Sequence, residues 1–368
     1  MSNRLDDVDS PRIHRTIQSL IANLVDLKDP SGEFLLRLDD GRIIDTKGWN
    51  DWEWTHGIGL YGIHQYYHLS GEQRYRQIIE DWFRDRFRAG VPTKNVNTVA
   101  ALLTLANLYV ETGEKSYLPY LDTWAEWIMN DMPRTEEHGL QHIVFNSENP
   151  QQLWDDTLMM CVLPLARIGQ VLGRPQYLEE ARRQFMVHIK YLHDRRTGLW
   201  WHGWTFDGRH NFAEARWARG NCWVTIAIPE FIEMLDLPPG ESLREFLLGT
   251  LDAQVRALAE HQNASGLWHT LIDDPSSYLE ASAAAGFAYG ILKSVRKGYL
   301  SKHYAPIGLQ AVQGVLANIR EDGELQNVSF GTAMGSDLEF YRKIPLTSMP
   351  YGQAMAMLAL CEYLQTRS

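Results

Sequence analysis

The chain has 368 residues, 45% of them hydrophobic and 22% charged, a balance that excludes intrinsic disorder. Its formal net charge of −11 argues against nucleic acid or an anionic membrane surface as a partner. Cys161, Cys222 and Cys361 are too few for a disulfide framework, while 13 Trp and 16 Tyr call for either a large core or a site that stacks on sugar rings.

The N-terminal stretch MSNRLDDVDSPRIHRTI carries acids where a signal peptide has basic and apolar residues. No later stretch is apolar for long enough to span a membrane. A soluble, cytoplasmic chain is expected, with its cysteines in apolar helical contexts as buried thiols.

From Gly57 onward one plan recurs: an apolar helix, a turn bearing Gly or Pro, an aromatic residue, then a charged amphipathic helix. The repeats start near Gly57, Thr98, Thr157, Trp223 and Ala281. A last apolar helix starts at Pro350 and has no follower of its own. The helix around Ile13–Leu27 is expected to serve as its outer partner. The first helix of each pair is apolar nearly all round and should be buried; the second has charges every three or four residues and should meet water on one face. Gly71, Gly113 and Gly173 stand where the first helix must stop and turn. Six such pairs predict an all-α fold, a six-hairpin (α/α)6 barrel forming one catalytic domain over residues 1–368. The unequal spacing of these glycines disfavours the alternative, an open helical solenoid.

The segments before the inner helices are rich in Trp, His, Asn and Asp, among them GWNDWEWTH, HGLQHIVFNSENPQQLWDD and WWHGWTFDGRHNFAEARWARGNC. If the inner helices run parallel, these loops gather at one rim with positive helix ends beneath them, a setting for an anionic ligand. In QQLWDDTLMM, Asp155 and Asp156 read either as a general acid or as a helix cap. In WARGNCW, Arg219 between Trp217 and Trp223 reads either as a ligand contact or as a buried guanidinium serving loop carbonyls. The histidines of WWHGWTFDGRH match no standard zinc spacing, so neither metal nor cofactor is expected, and His202 reads as a polar ligand contact. His56 and His142 are each candidates for a satisfied core histidine or a site residue.

WDDTLMM, the W-x-R-G-N-x-W box at Trp217–Trp223, GLWHTLIDD, YLEASAAAGFAYG and SFGTAMG before PYGQAMAMLAL occur in this order over about residues 50–365. Together they resemble glycoside hydrolase family 105, the unsaturated rhamnogalacturonyl hydrolases, related to the unsaturated glucuronyl hydrolases of family 88. The resemblance implies the six-hairpin barrel and removal of a 4,5-unsaturated uronic acid from the non-reducing end of lyase-generated oligosaccharides, here from rhamnogalacturonan in pectin. In that chemistry an Asp protonates C4 of the vinyl ether, water adds at C5, and the hemiketal opens. The resemblance places the general acid/base on Asp156, leaving Asp155 as the cap. It places substrate contacts on Trp54, His56, His142, His202, Trp217, Arg219 and Trp223. Two departures stand out. KNVNTVA carries Asn97, or less closely Asn95, where the family has a second Asp. Cys222 replaces the second Gly of the box.

The expected partner is thus a small oligosaccharide, with no nucleic acid and no membrane; the sequence carries no signal for an oligomeric state. Two alternatives stay open: another α/α-barrel sugar enzyme, either an epimerase with a His pair or a conventional glycosidase with two carboxylates, and a catalytically silent sugar-binding protein, for which Asn97 is the support.

Overall fold

The computed structural model describes residues 10–38 and 40–367; residues 1–9 of the N-terminal stretch read above lie outside the described residues. In chain order, α1 (Ser10–Asp26) precedes α2 (Trp54–Ser70) and α3 (Gln73–Ala89). The short α4 (Val96–Val99) leads into α5 (Leu102–Thr112) and α6 (Leu118–Asn130). Then come α7 (Leu163–Val171) with α8 (Pro175–Leu192), α9 (Ala218–Met234) with α10 (Ser242–His261), and α11 (Ala281–Arg296) with α12 (Ala305–Ala317). The short α13 (Leu338–Arg342) lies in the last long loop, before α14 (Pro350–Thr366).

The alternation of apolar and amphipathic helices becomes two concentric layers. α9 is buried from Ala218 to Ile232 and α14 from Pro350 to Leu364. α3 buries only Tyr75, Ile79, Trp82 and Phe83, spaced to form one stripe of a helix. Around the inner layer, α2 packs on α5, α5 on α7, α7 on α9, α9 on α11, α11 on α14, and α14 back on α2. That last contact closes the ring, so the all-α barrel is the fold and the solenoid is excluded. α1 packs on α14 and supplies the outer partner that the last helix lacks. Gly71, Gly113 and Gly173 all adopt φ between 64° and 70°, the left-handed turn that ends an inner helix. Among the described residues no helix is long and apolar enough to cross a membrane, and all three cysteines are free and buried.

Among the described residues, three two-stranded antiparallel ladders tie the loops at the N-terminal rim: β1 (Leu35–Arg37) with β2 (Ile43–Asp45), β3 (Gln152–Trp154) with β4 (Gly203–Thr205), and β5 (Trp268–His269) with β6 (Leu279–Glu280). The β3–β4 register sets Trp154 opposite Gly203, and the next backbone bond joins Asp155 N–H to His202 C=O at 3.0 Å. Residues far apart in the chain, Asp156 and His202, are thereby brought to one place.

Candidate active site

The rim loops enclose a cavity of about 570 Å³, within the size range of small-ligand sites. Trp54, Asn97, His142, Asp156 and Trp217 all line it, together with Glu53, Trp154, Phe212 and the 330–334 loop. Each comes from a segment that precedes an inner helix, as the parallel arrangement requires.

Asp156 stands just before a π-helical turn, Leu158–Val162, where Leu163 N–H reaches back to Leu158 C=O. Such turns recur at functional sites. Its side chain keeps 17% of its surface open. Its Oδ2 lies 3.3 Å from His202 Nε2, close enough for strong electrostatic interaction although the angles are not those of a hydrogen bond. Burial alone would raise the Asp156 carboxyl, but His202 beside it outweighs the burial and holds Asp156 below the usual carboxylate range.

His202 is itself held from behind. Its Nδ1 is 2.7 Å from Tyr341 Oη, which accepts the Gly335 N–H at 3.2 Å. With the tyrosine hydroxyl donating to Nδ1, the remaining ring proton sits on Nε2 and faces Asp156. His142 stacks flat on Trp154, with centroids 4.0 Å apart, and its Nδ1 meets Thr157 Oγ1 at 2.8 Å. Burial drives its pKa down to about 3, so it is a neutral ring.

Asp155 does not cap a helix through its side chain, contrary to the expectation. Both of its carboxylate oxygens are buried without a hydrogen-bond partner. Burial, reinforced by the charge on Asp156, pushes its pKa far up and keeps it neutral. Gly220 lies directly against this carboxyl, and a Cβ there would overlap both of its oxygens. The two adjacent acids are thus separated in state, one neutral and sealed, one ionised and open. Asp155, Asp156 and His202 do present ligand atoms within 4.8 Å of one another, but a sealed, protonated Asp155 fits a cation poorly.

Four of the expected contacts lie behind the cavity wall and not on it. His56 is fully buried and absent from the cavity wall: its Nδ1 accepts the Glu53 N–H at 3.0 Å and its Nε2 meets Gly48 C=O at 2.6 Å, the reciprocal capping of α2. Arg219 has no exposed surface. It donates to Ser329 C=O at 2.8 Å, to Phe330 C=O at 2.9 Å and to Ser329 Oγ, and its guanidinium lies between the rings of Trp217 and Tyr351. It anchors the loop that forms one cavity wall. Trp223 is buried behind Trp54, edge-on at 5.9 Å. His202, too, acts on Asp156 from within the wall, being 1% exposed. Among the described residues no Lys or Arg lines the cavity, and Arg219 beneath the surface is paired with Glu280 at 3.9 Å, so the helix N-termini are the positive element that faces it.

The tryptophans divide between the two explanations. Trp54, Trp154 and Trp217 line the cavity. Trp49, Trp52, Trp200 and Trp268 from the same loops are core residues, with Trp52 and Trp268 giving their N–H groups to Thr98 and Leu258 carbonyls. Cys222 fits because it faces Gly286 of α11, where a Cβ would crowd its Sγ.

At the position of the family's second Asp, Asn95 is a buried cap accepting from Asn97 and Thr98 N–H, and Asn97 faces the cavity. Sequence reasoning missed the carboxyl beside it. Glu53 lines the cavity next to Asn97 and its Oε1 is buried without a partner. Burial, with the nearby Asp51 charge, raises its pKa to about 8 despite bonds from Trp54 N–H and Asn97, so a neutral carboxylic acid occupies that wall.

Residues 27–367 match the model of Glycosyl Hydrolase Family 88. The chain belongs to this family. It is a glycoside hydrolase. It is 33% identical over 319 residues, 86% of this chain and 90% of the relative, to the unsaturated rhamnogalacturonyl hydrolase YesR of Bacillus subtilis. Among solved structures it is similar to a possible member of family GH105 from Salmonella enterica serovar Paratyphi A, with a TM-score of 0.97 at 61% identity, covering 98% of this chain and 96% of that one. A possible GH105 member from Klebsiella pneumoniae gives a TM-score of 0.96 at 61% identity, covering 98% and 95%.

Proposed function

We propose that the protein removes a 4,5-unsaturated uronic acid from the non-reducing end of lyase-generated oligosaccharides, with the unsaturated rhamnogalacturonan disaccharide as substrate and Asp156 as general acid/base. The observation that carries this reading is the isolation of Asp156: an ionised carboxylate open to the cavity, beside His202, with a neutral carboxyl sealed beneath it. The relative YesR, named for unsaturated rhamnogalacturonyl hydrolysis, supports the substrate class.

In this reading the sugar ring stacks against Trp54, Trp154 or Trp217. The incoming uronate is a second negative charge near Asp156, which raises the Asp156 pKa and draws a proton onto it. Asp156 then delivers this proton to C4 while the C4–C5 π electrons leave C5 as an oxocarbenium ion. Water attacks C5 and returns its proton to Asp156. The resulting hemiketal opens to the 5-keto uronate, and the aglycone leaves from C1 with its oxygen. The double bond is consumed, so the test is loss of its ultraviolet absorbance on adding protein to lyase-generated disaccharides. Decay with the rhamnogalacturonan product supports the reading; no decay across rhamnogalacturonan, glucuronan and ulvan-type products defeats it.

Glu53 favours one second reading, a conventional glycosidase using Glu53 and Asp156 as its two carboxyls. That enzyme would release sugars from saturated substrates, which hydration of a double bond cannot do.

A further inference from the structure

At the C-terminal ends of the inner helices, away from the cavity, three side chains converge outside the site described above. His64 and His68 are one turn apart on α2 and share a face. Glu111 comes from the last turn of the neighbouring α5. Glu111 Oε1 lies 2.7 Å from His64 Nε2 and 2.8 Å from His68 Nε2, and the two Nε2 atoms are 3.2 Å apart.

Both Nε2–H groups can donate to the one Glu111 oxygen, but with the nitrogens only 3.2 Å apart their two hydrogens converge on it and crowd each other. If either lacks hydrogen, its lone pair faces the carboxylate oxygen at hydrogen-bond distance. A cation in place of the protons satisfies all three lone pairs. The edges of the triangle allow one ion to sit at the usual zinc distances, about 2.0–2.2 Å, from all three atoms.

The chemical states fit as well. Burial holds His64 below its usual pKa, in the neutral form that binds metals. Burial raises the Glu111 carboxyl, but the two histidines overcome this and bring it to about 2, so it is ionised. Half of the His68 side chain (52%) and 19% of Glu111 are exposed, which leaves one side open for water ligands. Two imidazoles with one carboxylate favour zinc-like cations over Mg²⁺ or Ca²⁺, which prefer all-oxygen shells. Arg167, the charged group that bears on both His64 and Glu111, gives its donors to Asn107 and Gln170. His64 Nδ1 is buried and unpartnered; lacking an orienting acceptor there, the site should bind about 10- to 100-fold more weakly than one that has it.

We propose that His64, His68 and Glu111 bind a divalent transition-metal cation of the zinc class, tying α2 to α5 at the end of the barrel remote from the cavity. Along α2, at about 1.5 Å per residue, this point is roughly 20 Å from Trp54, so the cation is structural. It runs against the expectation of a metal-free chain, which rested on the loop histidines and did not weigh the His-x3-His spacing on α2.

The test uses the full chain, stripped with a chelator and dialysed, then titrated calorimetrically with ZnCl2 and followed by thermal unfolding. One equivalent of zinc should bind and raise Tm. The variants H68A and E111Q should each weaken binding tenfold or more and abolish the Tm rise. His303→Ala, an exposed histidine elsewhere, should bind like the parent. Absence of uptake by the parent chain, or equal uptake and equal Tm rise in H68A and E111Q, overturns the proposal.

Discussion

At the C-terminal ends of the inner helices, Lys293 sits 2.5 Å from Glu230 and 2.7 Å from Glu233, and Arg296 bonds Glu362. At the N-terminal ends, Glu53 Oε1, both Asp155 oxygens, Asp156 Oδ2 and His202 Nε2 are buried without hydrogen-bond partners. The same ring of helices thus carries a largely paired polar network at one end and an unpaired one at the other. Cations near helix C-termini are favoured by the backbone as well as by their acids. Unpaired buried polar atoms cost stability, and a protein retains them where a ligand will complete them. The contrast implies that substitutions at one end should act on stability and at the other on turnover.

The sharpest break in that contrast is expected at Asp156. Asp156→Asn should lower kcat by about 10³- to 10⁴-fold, the scale of a lost general acid, while the unsaturated disaccharide still binds within a few-fold of wild type by calorimetry. At the other end, Lys293→Met takes the cation from the buried Glu230, leaving it only the Tyr289 hydroxyl, while Glu233 keeps Lys297. It should cost roughly 3 kcal/mol in urea unfolding, the lower part of the range for a broken buried pair because Glu233 partly reaches water. Its kcat should stay close to wild type; a large loss of turnover with unchanged stability would erase the distinction between the two ends.

Next in size is Gly220→Ala. The added methyl displaces the Asp155 carboxyl and shifts its neighbour, so kcat should fall roughly 10- to 100-fold with near-UV circular dichroism preserved. Glu53 gives an effect of a different kind, one of pH. Its folded-state pKa of about 8 stands above its ordinary 4.5. Its contribution to stability is full below 4.5, where folded and unfolded chains both hold the proton. It declines as pH rises to about 8, because only the unfolded chain ionises over that span. Glu53→Gln should remove this downward slope, read as urea midpoints across the same window.

The architecture was legible because the repeat alternates helices of two kinds, and a pairing plan with one unpaired apolar helix at the end requires a partner from the N-terminus. The site was legible unevenly. Asp156 is singled out in WDDTLMM by resemblance, and its side chain lines the cavity. His56, Arg219 and Trp223 sit in equally recognisable motifs, but a motif does not say whether a side chain faces the cavity or packs beneath its wall. That depends on contacts such as Arg219 with the Phe330 carbonyl, between residues over a hundred positions apart. Glu53 escaped notice because an acid just before a helix reads as a cap. It is a cap, and its carboxyl is also part of the cavity wall; the Glu-x-x-His spacing to His56 was the available signal for the first role, and adjacency to Trp54 for the second.

The most direct measurement of the central claim is turnover of the unsaturated rhamnogalacturonan disaccharide in D2O, with the product read by NMR. Proton delivery from Asp156 predicts deuterium from solvent at C4 of the released keto acid, at a rate that collapses in Asp156→Asn. Release of a uronic acid that still carries its C4–C5 double bond and its original C4 hydrogen would contradict the account.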